Sequence, residues 1–395
     1  MVQVRSRLWL PFTQMQSFDS ASRTFVAAEG TELIDARGRR IFDAVSSIWT
    51  IVHGHCHPTI VKAIAEQAAS LDHATTLGAT NPVAERLASR LCAIAKMDYA
   101  FFASDGASAI EAAIKMALQY WQQRGEPQRR RFVRLVDAYH GDTAGAMSLS
   151  DIAVFKSHYD AITFEALPYT SLEVLDRDDV AAVIVEPIVQ AAAGMRIVDK
   201  RAYDALADRT PLTIVDEIAT GFGRTGTMFA HEGLSLRPDI VCVGKGLSGG
   251  ALALSATLVR APIYEAFLGA PQERKQFFHG HSFAGNPIAC AAALASLELF
   301  EMERTLERAR EIAKVTRERL ERLRQHASVA DVRGAGAMAG VELRGEGSGR
   351  QAADALYERG HFTRAIGEVV QFVPPLSTRD AQVHAFFDAL EDALA

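Results

Sequence analysis

Apolar positions along the chain follow two different rhythms. "PTIVKAIAEQAASL" and "PVAERLASRLCAIA" repeat apolar residues every three to four positions, with a proline in the first turn of each. That period predicts two amphipathic helices. From about residue 99 the pattern changes to strand, helix, strand. "YAFFAS" reads as a strand, and "SAIEAAIKMALQYWQQRG" as a helix closed by Gly125. "RFVRLV", "AAVIVEP", "LTIVDE" and "DIVCVG" are short continuous apolar runs between turn residues. Such runs suit strands covered on both faces, as in a parallel sheet. Residues 51–290 are therefore predicted to form a large α/β domain with a mostly parallel central sheet sandwiched by helices. On the N-terminal side, "TELIDARGRRIFDAV" predicts two strands across an Arg37-Gly38 turn. On the C-terminal side, "SLELFEMERTLERAREIAKVTRERLERLRQH" predicts one long charged helical stretch. Two strands in "VADVRGAGAMAGVEL", a helix, the strand "VVQFVPP" and a last helix follow. Residues 1–50 and 291–395 together are predicted to form a smaller α+β domain, so that the chain starts and ends in one unit.

Composition narrows the class. The chain has 395 residues, 49% hydrophobic and 23% charged, with a net charge of −6. This is ordinary globular composition with no large positive field to attract nucleic acid. Four cysteines are widely spaced and no CxxC occurs, which favours reduced thiols in a cytoplasmic protein. The N-terminus has no apolar core of a signal peptide. No run approaches the roughly 20 apolar residues of a membrane span. "HGHCH" places His53, His55 and His57 close together, but no carboxylate neighbours them in sequence, and loop histidines without a metal are expected. "GFGRTG", residues 221–226, matches a dinucleotide-binding pattern, yet neither a strand directly before it nor a helix directly after it is predicted.

The candidate chemistry lies at the ends of the apolar strands. "AAVIVEP" ends at Glu186, "LTIVDE" at Asp216 and Glu217, and "DIVCVGK" at Lys245. In an open parallel sheet, ligands bind beyond the carboxyl ends of the strands, so these groups converge on one crevice. The chain has only eight lysines, and this one sits between two glycines. A desolvated lysine loses its proton readily, and its neutral amine forms an imine with a carbonyl. A nearby aspartate can hold a protonated pyridine nitrogen, the arrangement pyridoxal 5'-phosphate (PLP) needs to act as an electron sink. "ASDGASAIEAAIK" opens a helix with small residues, whose free N–H groups suit a phosphate. Tyr139, in "DAYHGDTAGAMS", offers a ring face for stacking.

Together with "LWLPFTQM", "KMALQYWQ", "IVEPIVQAAAGMR", "DEIATGFGRTG", "GKGLSGGALALSATL" and "HGHSFAGNP", these segments make the chain resemble the class III, fold-type I, PLP-dependent aminotransferases over essentially its whole length. The resemblance implies that Lys245 carries the imine link and shuttles a proton, that Asp216 pairs with the pyridine nitrogen, and that Tyr139 stacks on the ring. It places Gly106 and Ala107 at the phosphate, and His140, Glu186 and Ile218 in the cofactor pocket. Ser282 stands where family members commonly have threonine reaching the phosphate of a neighbouring subunit, which implies a homodimer with shared sites. Arg364 matches an arginine for the substrate carboxylate. Phe12, Ile48, Trp49 and Gln371 fall at positions lining the substrate channel. Phe12 and Gln371 replace tyrosines, and Ile48 replaces the first residue of a Trp-Trp pair. The implied activity is ping-pong transfer from an amine donor to a keto acceptor, first of all 7-keto-8-aminopelargonate, giving 7,8-diaminopelargonate for biotin synthesis. The alternative is an ω-transaminase using terminal amines, diamines or ω-amino acids with pyruvate. No metal is expected.

Overall fold

The computed structural model describes residues 7–16, 18, 23–206 and 211–395. Its centre is a seven-stranded sheet in the order Tyr99–Ala103, Ser255–Val259, Ile240–Val243, Leu212–Asp216, Val180–Val185, Arg131–Arg134, Leu167–Pro168. Ser255–Val259 runs antiparallel to both neighbours; the other adjacent pairs are parallel. The strands Val180–Val185, Leu212–Asp216 and Ile240–Val243 are buried at every residue. Burial on both faces is why their sequences show no alternation of apolar and polar positions.

Two features differ from the pattern-based expectation. The strand Ser255–Val259 was hidden by its hydroxyl residues. Its polar side chains are satisfied internally: Ser255 donates to the carbonyl of Asp105 at 2.6 Å, and Thr257 to that of Ala109 at 2.8 Å. Buried hydroxyls with partners carry little penalty, so polarity here does not mean exposure. The long charged stretch is two helices, Pro287–Met302 and Thr305–Leu323. Arg304 between them has a φ of +54°, a conformation that cannot continue a right-handed helix.

Two further four-stranded sheets follow, and one of them joins the two ends of the chain. Phe25–Glu29, Glu32–Asp35 and Arg40–Asp43 form an antiparallel meander that pairs in parallel with His361–Phe362. Val329–Ala335, Met338–Leu343, Val369–Phe372 and Ala365–Ile366 form another four-stranded sheet. Arg224, from "GFGRTG", ties these parts to the centre. Its buried guanidinium donates to the carbonyls of Ile51 at 2.8 Å and Pro374 at 2.7 Å. Burial lowers its pKa to about 10. The glycine-rich segment is thus a packed corner whose arginine faces inward.

The three histidines of "HGHCH" point to separate partners. His55 bonds Asp43 at 2.9 Å, and His57 bonds Glu303 at 3.0 Å. His53 is buried against Phe300, within reach of the hydroxyls of Ser296 and Thr305. Burial, reinforced by His57, lowers its pKa from 6.5 to about 3. The unfolded chain takes up that proton near 6.5 and the folded chain only near 3. Its stability contribution is therefore full above 6.5 and is lost progressively as pH falls toward 3. At about 1.4 kcal/mol per unit, the loss between pH 6.5 and 5 is about 2 kcal/mol. Denaturant titrations should show His53→Gln losing that much less stability than the parent over this interval. An equal loss in both proteins overturns the assignment.

Candidate active site

A cavity of about 210 Å³ lies beyond the carboxyl ends of the central strands. Asp216 is the last residue of its strand, and its neighbour in register is Cys242, three residues before Lys245. Adjacent parallel strands thus deliver a carboxylate and an amine to the same cavity. Glu186 arrives from the next strand over, Val180–Val185.

The burial of these groups sets their charges. Desolvation lowers the pKa of the Lys245 amine; the charges of Asp216 and Glu186 oppose the shift, and Arg224 adds to it. Glu186 is raised well above the usual carboxylate range by burial and then by the Asp216 charge, against the backbone N–H of Tyr139, which donates to it at 3.0 Å. Burial and that charge both favour the protonated form of Glu186. The Asp216 carboxylate accepts from His140 Nδ1 at 2.7 Å and from the Ile218 N–H at 3.0 Å. Those two bonds fix its direction. Lys245 itself has a φ of +41°, a sparsely populated conformation costing about 1–3 kcal/mol of the kind stored at functional sites.

The other end of the cavity is built for an anion. The 18-residue helix Gly106–Gln123 begins there, capped by Asp105, whose carboxylate takes the Ser108 N–H at 2.9 Å. Gly106 and Ala107 line the cavity in the first turn, where N–H groups have no partner within the helix. The space is close. A Cβ on Gly106 would meet Ile218 at 2.9 Å, and one on Gly141, at a φ of +129°, would meet Ala107 at 2.6 Å. Tyr139 offers its ring to the cavity and donates its hydroxyl to Asp142 at 2.9 Å. Burial, then the Asp142 charge, pushes the phenol pKa up, so the hydroxyl stays protonated. A fixed carboxylate, a desolvated amine, an aromatic wall and a helix start suit a flat cationic ring with a carbonyl and an anionic tail. PLP fits this set.

Trp49 completes the wall. Its ring centroid lies 4.8 Å from Lys245 Nζ. It is carried by an unusual turn: Ser46, Ser47, Ile48 and Trp49 have φ of 50°, 47°, 68° and 64°. Four consecutive left-handed residues, none of them glycine, cost about 1–2 kcal/mol each. The surroundings hold the turn in place. Ser46 donates to the Val373 carbonyl at 2.6 Å and Ser47 to Asp43 at 2.9 Å. The indole N–H donates to Gln371 Oε1 at 3.0 Å.

Lys245, Asp216, Tyr139, His140, Glu186, Gly106, Ala107, Ile218 and Trp49 all line this cavity. The other candidates do not. Ser282 is exposed. Ile48 is half-buried behind Trp49. Phe12 and Arg364 line a second, wider cavity of about 670 Å³, together with Arg23 and Arg350. Gln371 is 2% exposed in a buried strand and lines neither cavity. Phe155, absent from the sequence-based candidates, packs edge-on against Phe12 at 5.3 Å and Tyr139 at 5.8 Å. It lies in a four-residue helix, too short to give a periodic signal.

The family model for class III aminotransferases matches residues 16–394. The chain is a class III aminotransferase. It is 39% identical to the adenosylmethionine-8-amino-7-oxononanoate aminotransferase of Aquifex aeolicus, over 98% of this chain and 95% of that one. The crystal structure of the enzyme of the same name from Methanocaldococcus jannaschii superposes with a TM-score of 0.93 at 37% identity, covering 98% of this chain and 96% of that one. An amine transaminase from an uncultivated Pseudomonas species, solved in its PLP-bound form, superposes with a TM-score of 0.92 at 29% identity over 99% of both chains. This class III aminotransferase is a PLP-dependent enzyme of fold type I, and its cavity has the donors that PLP needs.

In this aminotransferase Lys245→Ala is expected to lower turnover at least about a thousandfold, within the range for loss of a proton-transferring group. The purified variant should also lack the visible absorbance that borohydride bleaches in the parent. Turnover within tenfold of the parent would refute the assignment of Lys245. Asp216→Asn, which keeps the shape and removes the charge, is expected to retain the imine absorbance while losing most turnover.

Proposed function

We propose that this aminotransferase moves an amino group onto 7-keto-8-aminopelargonate, giving 7,8-diaminopelargonate. The observation that carries the reading is the cavity of Lys245, Asp216 and Glu186 in a chain related over 98% of its length to an enzyme named for that acceptor. Bound PLP supplies the electron sink for the exchange of amine and ketone. The protein's residues do the rest. Lys245 would hold the cofactor by its amine, and that amine would carry the proton at the substrate carbon. Asp216, fixed by His140, would face the ring nitrogen and favour its protonated form. Burial and the Asp216 charge favour the neutral form of Glu186, which weakens its competition for that cation. Gly106 and Ala107 would hold the phosphate, and Tyr139 and Trp49 would keep water from the reacting atoms. Arg364, across the wider cavity, receives a substrate carboxylate.

The working unit in this reading is a homodimer in the cytoplasm. Ser282 is exposed next to Phe283, 62% exposed, and near the 72% exposed Phe278 in sequence. A second copy covering that face brings Ser282 to the neighbour's phosphate. Among the described residues no helix is long and apolar enough to cross a membrane.

A second reading has one specific support. Phe12, on the wall of the wider cavity, brings no hydroxyl where the resemblance expects one. Sites that hydrogen-bond a substrate hydroxyl or amine discriminate strongly, and apolar ones do not. A simple terminal amine with pyruvate is therefore the alternative pair. Purified enzyme should be assayed with 7-keto-8-aminopelargonate against a panel of donors including S-adenosylmethionine and lysine, and separately with terminal amines and pyruvate. Formation of the diamine is the expected result. Turnover confined to the amine–pyruvate pair would replace the first reading with the second.

A further inference from the structure

We propose that Gln371 is a positioning residue for Lys245 and acts through Trp49. The family resemblance places Gln371 at the substrate channel. The structure puts it elsewhere. Gln371 lies in the fully buried strand Val369–Phe372, with the Gln371 N–H donating to the Arg364 carbonyl at 3.1 Å and Thr363 donating its hydroxyl to the Gln371 carbonyl at 2.5 Å. Its backbone is therefore held from both sides. Its side-chain oxygen accepts the indole N–H of Trp49 at 3.0 Å. Gln371 lines neither the cavity of Lys245 nor that of Arg364.

Trp49 needs such an anchor. It ends the run of four left-handed residues, so its backbone conformation is held by contacts rather than by its own preference. The hydroxyls of Ser46 and Ser47 secure the start of the turn. The bond from Gln371 secures the ring at its end. An indole fixed there presents its face to Lys245 Nζ at 4.8 Å. That face is electron-rich and favours a cation. Lys245 becomes a cation each time it takes up the substrate proton, in a cavity where burial disfavours the ammonium. Gln371 thus supports the charged form of the lysine during proton transfer without touching substrate or cofactor. The same strand carries this support back to the Arg364 backbone, so the lysine and the carboxylate-binding arginine are set from one element.

The test uses the full-length enzyme. Gln371→Met removes the acceptor and keeps length and bulk; Trp49→Phe removes the donor from the other side. The first arm needs neither cofactor nor substrate. Protein labelled with ¹⁵N at tryptophan has three indole N–H groups. Trp9 is 84% exposed, and Trp121 donates to the Ala181 carbonyl. In the parent the Trp49 indole proton should exchange slowly with solvent, and in Gln371→Met at least about tenfold faster, because its partner is gone. The second arm is kinetic and rests on the amino-transfer reading. Gln371→Met is expected to lower kcat about tenfold with KM nearly unchanged, the fold change that a cation–indole contact converts to. Trp49→Phe should show a similar fall in kcat, and adding Gln371→Met to Trp49→Phe should change nothing more. A raised KM at unchanged kcat would make Gln371 a substrate contact and overturn the proposal. So would a kcat loss from Gln371→Met that persists undiminished in the Trp49→Phe background. Unchanged indole exchange overturns it whatever the substrate is, so its failure is distinct from a failure of the assigned reaction. If Gln371→Met does not fold, a parental kcat in Trp49→Phe overturns it equally.

Discussion

A lysine amine withdrawn from water beside two carboxylates is the constraint on which the site depends. Desolvation alone favours the neutral amine, and the anion of Asp216 opposes this. Burial and the neighbouring Asp216 raise the pKa of Glu186 and favour its protonated form, which eases part of the conflict. A parallel sheet makes this arrangement possible because its strand ends open on one crevice while the strands themselves are sealed on both faces.

Around that charge balance the backbone departs from its comfortable conformations. Lys245 and the run Ser46–Trp49 all have positive φ without being glycine. Such strain persists only where surrounding contacts over-determine it. The contacts here come from far away in the chain: Val373 and Gln371 for the turn, and Arg224 across Ile51 and Pro374. The last part of the chain thus shapes the wall of a cavity whose chemistry comes from the middle. Glycine at 106 and 141 lets the helix start pack closely against Ile218 and Ala107 in the cavity wall, where a Cβ would clash.

Much of this was legible in the sequence. Continuous apolar runs gave the central parallel strands, and the polar residues ending them pointed to Glu186, Asp216 and Lys245. The long motifs gave the family and with it the cofactor. Other parts were not legible for identifiable reasons. Ser255–Val259 is a fully buried strand with polar side chains, and only the carbonyls of the helix beside it explain why they are tolerated. The break at Arg304 carries no proline or glycine to mark it. Phe155 sits in a helix of one turn, without a period to read. Gln371 reads as a channel residue from the family resemblance; its burial and its bond to Trp49 belong to three dimensions.

The sequence by itself determined the fold class, the family and the lysine–aspartate pair, because strand burial and strand-end chemistry are written locally, within a few residues. Only the tertiary structure decided which groups are neutral, which side chains reach the cavity, and how Trp49 is held over Lys245. Those properties arise from desolvation and from contacts between segments more than 300 residues apart, such as Trp49 and Gln371, 322 positions distant. No local pattern encodes them.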